Sequence, residues 1–137
     1  MPITLAQMVA DARSEVGEIS PAEAAQAGKS SEVDLIVDVR EPAEYRAGRL
    51  PRAINIPRGL LELRADPASP VADPSLTADR AARILLYCTK GPGARSLLSA
   101  RTLKNMGYER VEVLGGGLAA WTEAGLPVEG ETQPATA

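Results

Sequence analysis

Ile84-Leu85-Leu86-Tyr87-Cys88-Thr89-Lys90-Gly91-Pro92-Gly93-Ala94-Arg95-Ser96-Leu97-Leu98-Ser99-Ala100-Arg101-Thr102-Leu103 passes from an apolar run of strand type, through a Gly-Pro-Gly loop, into residues whose apolar members recur at helical spacing. Cys88, the single cysteine, therefore stands where a buried strand ends and a loop turns into a helix. Gly91 and Gly93 permit backbone conformations that bring several N–H groups around one point, and a helix start adds unpaired N–H groups and a partial positive charge. Such a cup holds anions and stabilises a thiolate. Lys90 and Arg95 place a cation on either side. Two readings of Cys88 stand side by side: a small buried hydrophobe, or a nucleophile. The glycines and cations speak for the second, because a cysteine that only fills a core has no use for them.

Working outward, a chain of 137 residues is expected to form one compact domain. Its 15 basic and 18 acidic residues leave a net charge of -3, so there is no basic field for nucleic acid and any anion site must be local. The start Met1-Pro2-Ile3-Thr4 has no charged segment followed by an apolar core, and no run approaches membrane-spanning length. With one cysteine an internal disulfide is impossible, which fits a reducing compartment, and a cytoplasmic location is expected. The absence of histidine removes Ser-His and Cys-His catalysis and every histidine-based metal site. A lone thiol makes a poor metal ligand set, so neither a metal nor a cofactor is expected. If Cys88 is activated, backbone dipoles and cations must do it.

In chain order, Leu5, Met8, Val9, Ala12 and Val16 describe an amphipathic helix over Thr4 to Val16, capped by Thr4, that packs on the domain or presents a partner surface. Residues 1–17 are thus expected to be an extension ahead of a domain at 18–130, with a disordered tail at 131–137. Glu18-Ile19-Ser20 is a candidate edge strand, and Ser20-Pro21 with Glu23 opens a helix that Gly28 ends. Asp34-Leu35-Ile36-Val37-Asp38-Val39 is the clearest strand, apolar enough for burial on both faces. Asp38 at its end is read as a carboxylate taking local backbone or Arg hydrogen bonds, with a catalytic acid as the alternative. A short helix opens on Pro42, and Arg46, Arg49 and Arg52 are expected to pair with Glu41 and Glu44 on the surface. Ala53-Ile54-Asn55-Ile56 is the next strand and Leu60, Leu61 and Leu63 a helical turn or two. Residues 65–74 form a loop expected to border the pocket, where Arg58 and Arg64 either draw in anions or are plainly solvated, and a helix is expected over Thr77 to Ala82. The helix after Cys88 ends at Gly107, Val111 to Leu114 is the last strand, and Gly115-Gly116-Gly117 turns into a short helix carrying Trp121, read as a core anchor. Strands alternating with helices argue for a parallel sheet covered on both faces, with the nucleophile in the crevice at the strands' C-terminal ends.

Three of these stretches match one family in order. Val37-Asp38-Val39-Arg40-Glu41-Pro42-Ala43-Glu44-Tyr45 with Gly48, Pro51 and Ala53-Ile54-Asn55-Ile56-Pro57 resembles the first signature of rhodanese-like domains. Tyr87-Cys88 leading to Gly91 and Arg95-Ser96 resembles their active-site loop, and Gly115-Gly116-Gly117 with Trp121 and Pro127 their closing signature. The resemblance implies an α/β three-layer sandwich with a five-stranded parallel sheet, and a thiosulfate sulfurtransferase that carries sulfur as a persulfide. It implies Cys88 as the nucleophile and Thr89, Lys90, Gly91, Pro92, Gly93, Ala94 and Arg95 as the binding loop for a small anionic sulfur donor. Cyanide, a thiol or a partner protein would be the acceptor.

Two departures from the family pattern bear on substrate. Sulfur-transferring members commonly have four residues between the cysteine and the arginine, whereas six lie between Cys88 and Arg95. The related cell-cycle phosphatases use a longer loop to admit phosphate. If Arg95 falls in the first helical turn, Lys90 becomes the principal cation. Arg49 stands where many relatives have histidine, with little mechanistic effect expected. Alternative functions are a cysteine-dependent phosphatase or arsenate reductase on the same fold, against which Tyr87 precedes the nucleophile in place of histidine, and a non-enzymatic sulfur carrier or regulatory interaction module.

Overall fold

A computed structural model describes residues 2–91 and 93–130. Pro92 and the expected tail at 131–137 lie outside the described residues. The elements in chain order are α1 (Leu5–Glu15), β1 (Gly17–Ile19), α2 (Pro21–Lys29), β2 (Leu35–Asp38), α3 (Pro42–Ala47), β3 (Ala53–Asn55), a 3-10 turn (Arg58–Leu60), α4 (Leu61–Ala65), α5 (Pro74–Thr77), β4 (Arg83–Tyr87), α6 (Ala94–Asn105), β5 (Arg110–Leu114) and α7 (Gly117–Glu123). The five strands pair in the order β1-β5-β4-β2-β3, every pair parallel. The expected sandwich is therefore the one that forms.

Alternation along β4 divides the core. Ile84, Leu86 and Cys88 face one layer with Val9, Ala12, Leu61, Leu76, Leu97 and Ala100, contributed by α1, α4, α5 and α6. Leu85 and Tyr87 face the other, with Ala24, Ala27 and Trp121 from α2 and α7. A strand buried on both faces needs the continuous apolar run that β4 has. In register Asp38 stands opposite Tyr87, so the ends of β2 and β4 lie side by side at the C-terminal edge of the sheet.

Local signals explain the helix starts. Thr4 with Gln7, and Ser20 with Glu23, form reciprocal capping boxes. In α1, Val9 and Ala12 are buried, as is Val16 at its C-cap, while Leu5 and Met8 remain exposed. The helix runs beside α6, with Glu15 paired to Arg101 and its carbonyl taking Lys104, and its first turn flanks Ala94 at the start of α6.

The helix expected over Thr77 to Ala82 is corrected: α5 ends at Thr77. Asp73 accepts from the Ser75 N–H and Pro74 occupies the first turn, so the cap and its proline fix the start upstream. The Asp79 carboxylate then takes the Ala81 N–H in a turn that competes with helix. Among the described residues, no helix is long and apolar enough to cross a membrane.

Candidate active site

Cys88 follows the last residue of β4, and its side chain continues the Ile84 and Leu86 face toward α6. It is 4% exposed, yet it lines a cavity of about 380 Å³ together with Glu44, residues 89–91 and residues 93–95. The Cys88 thiol donates to the Ser96 hydroxyl oxygen at 3.5 Å, and that hydroxyl donates to the Gly93 carbonyl at 3.1 Å. Ser96 is buried in the first turn of α6, so its rotor holds the sulfur against the start of a helix.

The loop is closed by Gly93, whose φ of 78° is left-handed, with its N–H bonded to the Lys90 carbonyl. Its carbonyl takes the Leu97 N–H, the first bond of α6, so the helix itself supplies no acceptor for the N–H groups of Ala94, Arg95 and Ser96. These N–H groups and the helix dipole put partial positive charge at the start of α6. Gly93 is followed directly by α6, which starts at Ala94.

From the other side α7 holds the loop. Leu118 and Ala119 donate their N–H groups to the Cys88 and Thr89 carbonyls at 2.9 and 2.8 Å. Peptide units are planar and trans, so the N–H groups of Thr89 and Lys90 face away from α7. This close approach requires glycine at 117: its φ is 61°, and a Cβ there would stand 2.5 Å from the Cys88 carbonyl oxygen. The Gly-Gly-Gly turn therefore orients the binding loop, a role the sequence did not disclose.

Arg95 does lie in the first turn of α6, and it still reaches the cavity. Its Nη1 donates to Glu44 Oε1 at 2.7 Å, and its Nη2 to Glu44 Oε2 and Thr89 Oγ1, both at 3.2 Å. The Arg95 guanidinium holds the Glu44 carboxyl down at about 2, against a smaller opposing effect of burial, with the Glu41 N–H adding to the depression. Sequence reasoning missed Glu44 as part of the site. The expectation that Arg46, Arg49 and Arg52 pair with Glu41 and Glu44 is corrected to that extent: both Glu44 oxygens grip Arg95, and Arg49 instead lies 4.7 Å over the Tyr45 ring. Lys90 is exposed at the cavity rim. Arg58 is paired with Glu62 and Thr102, and Arg64 with the Val71 carbonyl; neither lines this cavity.

Asp38 is fully buried and accepts from the Arg40 N–H at 2.9 Å and from its guanidinium at 2.7 Å. It is the locally satisfied carboxylate that its position suggested, and it does not line the cavity.

A family model for the rhodanese-like domain matches residues 20–124. The chain belongs to the rhodanese-like family. A sulfurtransferase of Allochromatium vinosum is 34% identical over 113 residues, covering 82% of this chain and 94% of that protein. An HTH-type transcriptional regulator of Mycobacterium tuberculosis is 39% identical over 111 residues, 81% of this chain but 44% of the regulator. The rhodanese-like unit thus accounts for most of one relative and less than half of the other. Among solved structures, a Rhodopseudomonas palustris protein of unknown function, described as a possible tyrosine phosphatase, is 37% identical with a TM-score of 0.83, covering 94% of this chain and 99% of that one. Cys88 and its loop lie within the matched residues. α1 lies ahead of the matched residues.

Proposed function

We propose that this rhodanese-like domain is a sulfurtransferase that carries sulfane sulfur as a persulfide on Cys88. The observation that carries the reading is the single thiol at the end of β4, set beside the Ser96 hydroxyl and opening on a cavity that Lys90 and Arg95 also line. The Cys88 thiolate attacks the outer sulfur of a donor such as thiosulfate; the S–S bond breaks and sulfite leaves with its electron pair. The loop N–H groups and the start of α6 stabilise the persulfide anion that results. Cyanide or a thiolate, free or on a partner protein, then takes the terminal sulfur and returns the Cys88 thiolate.

A second reading, a cysteine-dependent phosphatase, draws support from the long loop and from the R. palustris neighbour. Against it stands Glu44, an ionised carboxylate in the wall where a phosphate dianion would sit.

Intact mass before and after incubation with thiosulfate tests the proposal. The wild type is expected to gain one sulfur atom, removable by cyanide, and Cys88→Ser to gain none. Transfer by Cys88→Ser at the wild-type rate would overturn the mechanism. Hydrolysis of an aryl phosphate without any sulfur uptake would favour the second reading.

A further inference from the structure

Glu44 enters the Cys88 cavity from α3, outside the sulfur-binding loop, and two contacts fix it there. It is the third residue of its helix, where its carboxylate takes the Glu41 N–H at 2.9 Å. It also grips Arg95 through both oxygens. The loop arginine is therefore already neutralised. Counting a Cys88 thiolate and Glu44 against Lys90 and Arg95, the fixed charges around the cavity cancel. An oxyanion donor such as thiosulfate brings two negative charges, and its sulfonate competes with Glu44 for the Arg95 guanidinium. It must displace the carboxylate or lie against it. A hydropersulfide, R–S–S–H, has no sulfonate to place.

We propose that Glu44 is a specificity-determining residue that turns the site away from oxyanion donors and toward hydropersulfides; this rests on the reading of Cys88 as the sulfur carrier. In that reaction the Cys88 thiolate attacks the outer sulfur of R–S–S–H and the S–S bond breaks. R–S⁻ leaves with the electron pair, and the proton stays on the sulfur now bound to Cys88. One thiolate is consumed and one released, with no oxidant or reductant needed. The same carboxylate repels phosphate and sulfate.

Glu44→Gln tests this. Glutamine preserves the side-chain length and the acceptor for the Glu41 N–H, as in natural capping boxes, and the Glu44 side chain is 37% exposed, so the fold survives the change. Loss of one charge at this range is expected to lower the KM for thiosulfate about tenfold. The ratio of kcat/KM for thiosulfate to kcat/KM for glutathione hydropersulfide should rise about tenfold with it. A reading without turnover is the alkylation of Cys88 by neutral iodoacetamide, against which sulfate should protect the variant at about a tenth of the concentration needed for wild type. Glu41→Gln, which removes a neighbouring charge outside the cavity, should change neither. An unchanged thiosulfate KM and unchanged sulfate protection in Glu44→Gln would overturn the proposal, as would equal shifts in Glu41→Gln. If wild type takes sulfur from neither donor, the sulfur-carrier reading itself falls, and the sulfate arm still decides whether Glu44 excludes oxyanions.

Discussion

Glu44 contributes a pH dependence to folding stability. Its folded value, about 2, lies below the ordinary carboxylate value, so the ionised form is favoured by folding. The stability it contributes is complete above the unfolded value, near 4, and is lost as pH falls from about 5 toward 2. The side chains of Glu44 and Arg95 are 37% and 40% exposed, so solvent and salt weaken the pair. Melting temperatures measured between pH 5 and pH 2.5 should fall less steeply in Glu44→Gln than in wild type, and the difference should shrink at high salt. Equal slopes would mean that the pair adds nothing to stability. At this scale Cys88, its flanking cations and Asp38 were legible, because each declares itself within a few neighbours; Asp38 and its partner Arg40 are two residues apart. Glu44 was not, since its partner Arg95 lies 51 positions away and no local spacing records such a pair.

The elements were legible wherever a cap marked their start. Thr4, Ser20 and the Pro42 opening each announced a helix that forms. Asp73-Pro74 is the same kind of signal, but the three prolines of residues 65–74 masked it as a loop, and α5 was placed too late. The reach of α7 onto the active loop was invisible, because one element's N–H groups serve another's carbonyls. That contact makes its own prediction. Gly117→Ala places a methyl carbon 2.5 Å from the Cys88 oxygen at a left-handed φ, so the loop must move or the turn must open. The strain should cost about 1–3 kcal/mol in urea unfolding. Persulfide formation should fall further than stability alone explains, because the N–H groups of Thr89 and Lys90 lose their orientation. Wild-type sulfur uptake in a folded Gly117→Ala protein would contradict that positioning role.

Across the whole molecule, a buried polar network ties the sheet to the connection after α3. Arg40 bonds Asp38 and the Gly48 carbonyl, and it lies 5.7 Å over the Tyr87 ring. The Tyr87 hydroxyl in turn accepts the Leu50 N–H, and burial pushes its phenol far above its ordinary value. Removing one partner strands a buried charge, so Asp38→Ala should cost about 3–5 kcal/mol. That is a large part of the 5–15 kcal/mol typical of a domain. Urea unfolding followed by Trp121 fluorescence would measure it, and a loss below about 1 kcal/mol would mean that Arg40 finds other partners. By itself the sequence determined the alternation of strand and helix, the parallel sheet and the place of Cys88 at a strand's end. Apolar runs, caps and glycine loops act between near neighbours, so a chain states them locally. Only the tertiary structure decided the strand order β1-β5-β4-β2-β3, the docking of α7 on the loop and the clamping of Arg95 by Glu44. Those depend on which surfaces meet when the two layers close on the sheet, and contacts between distant residues exist only once the chain has folded.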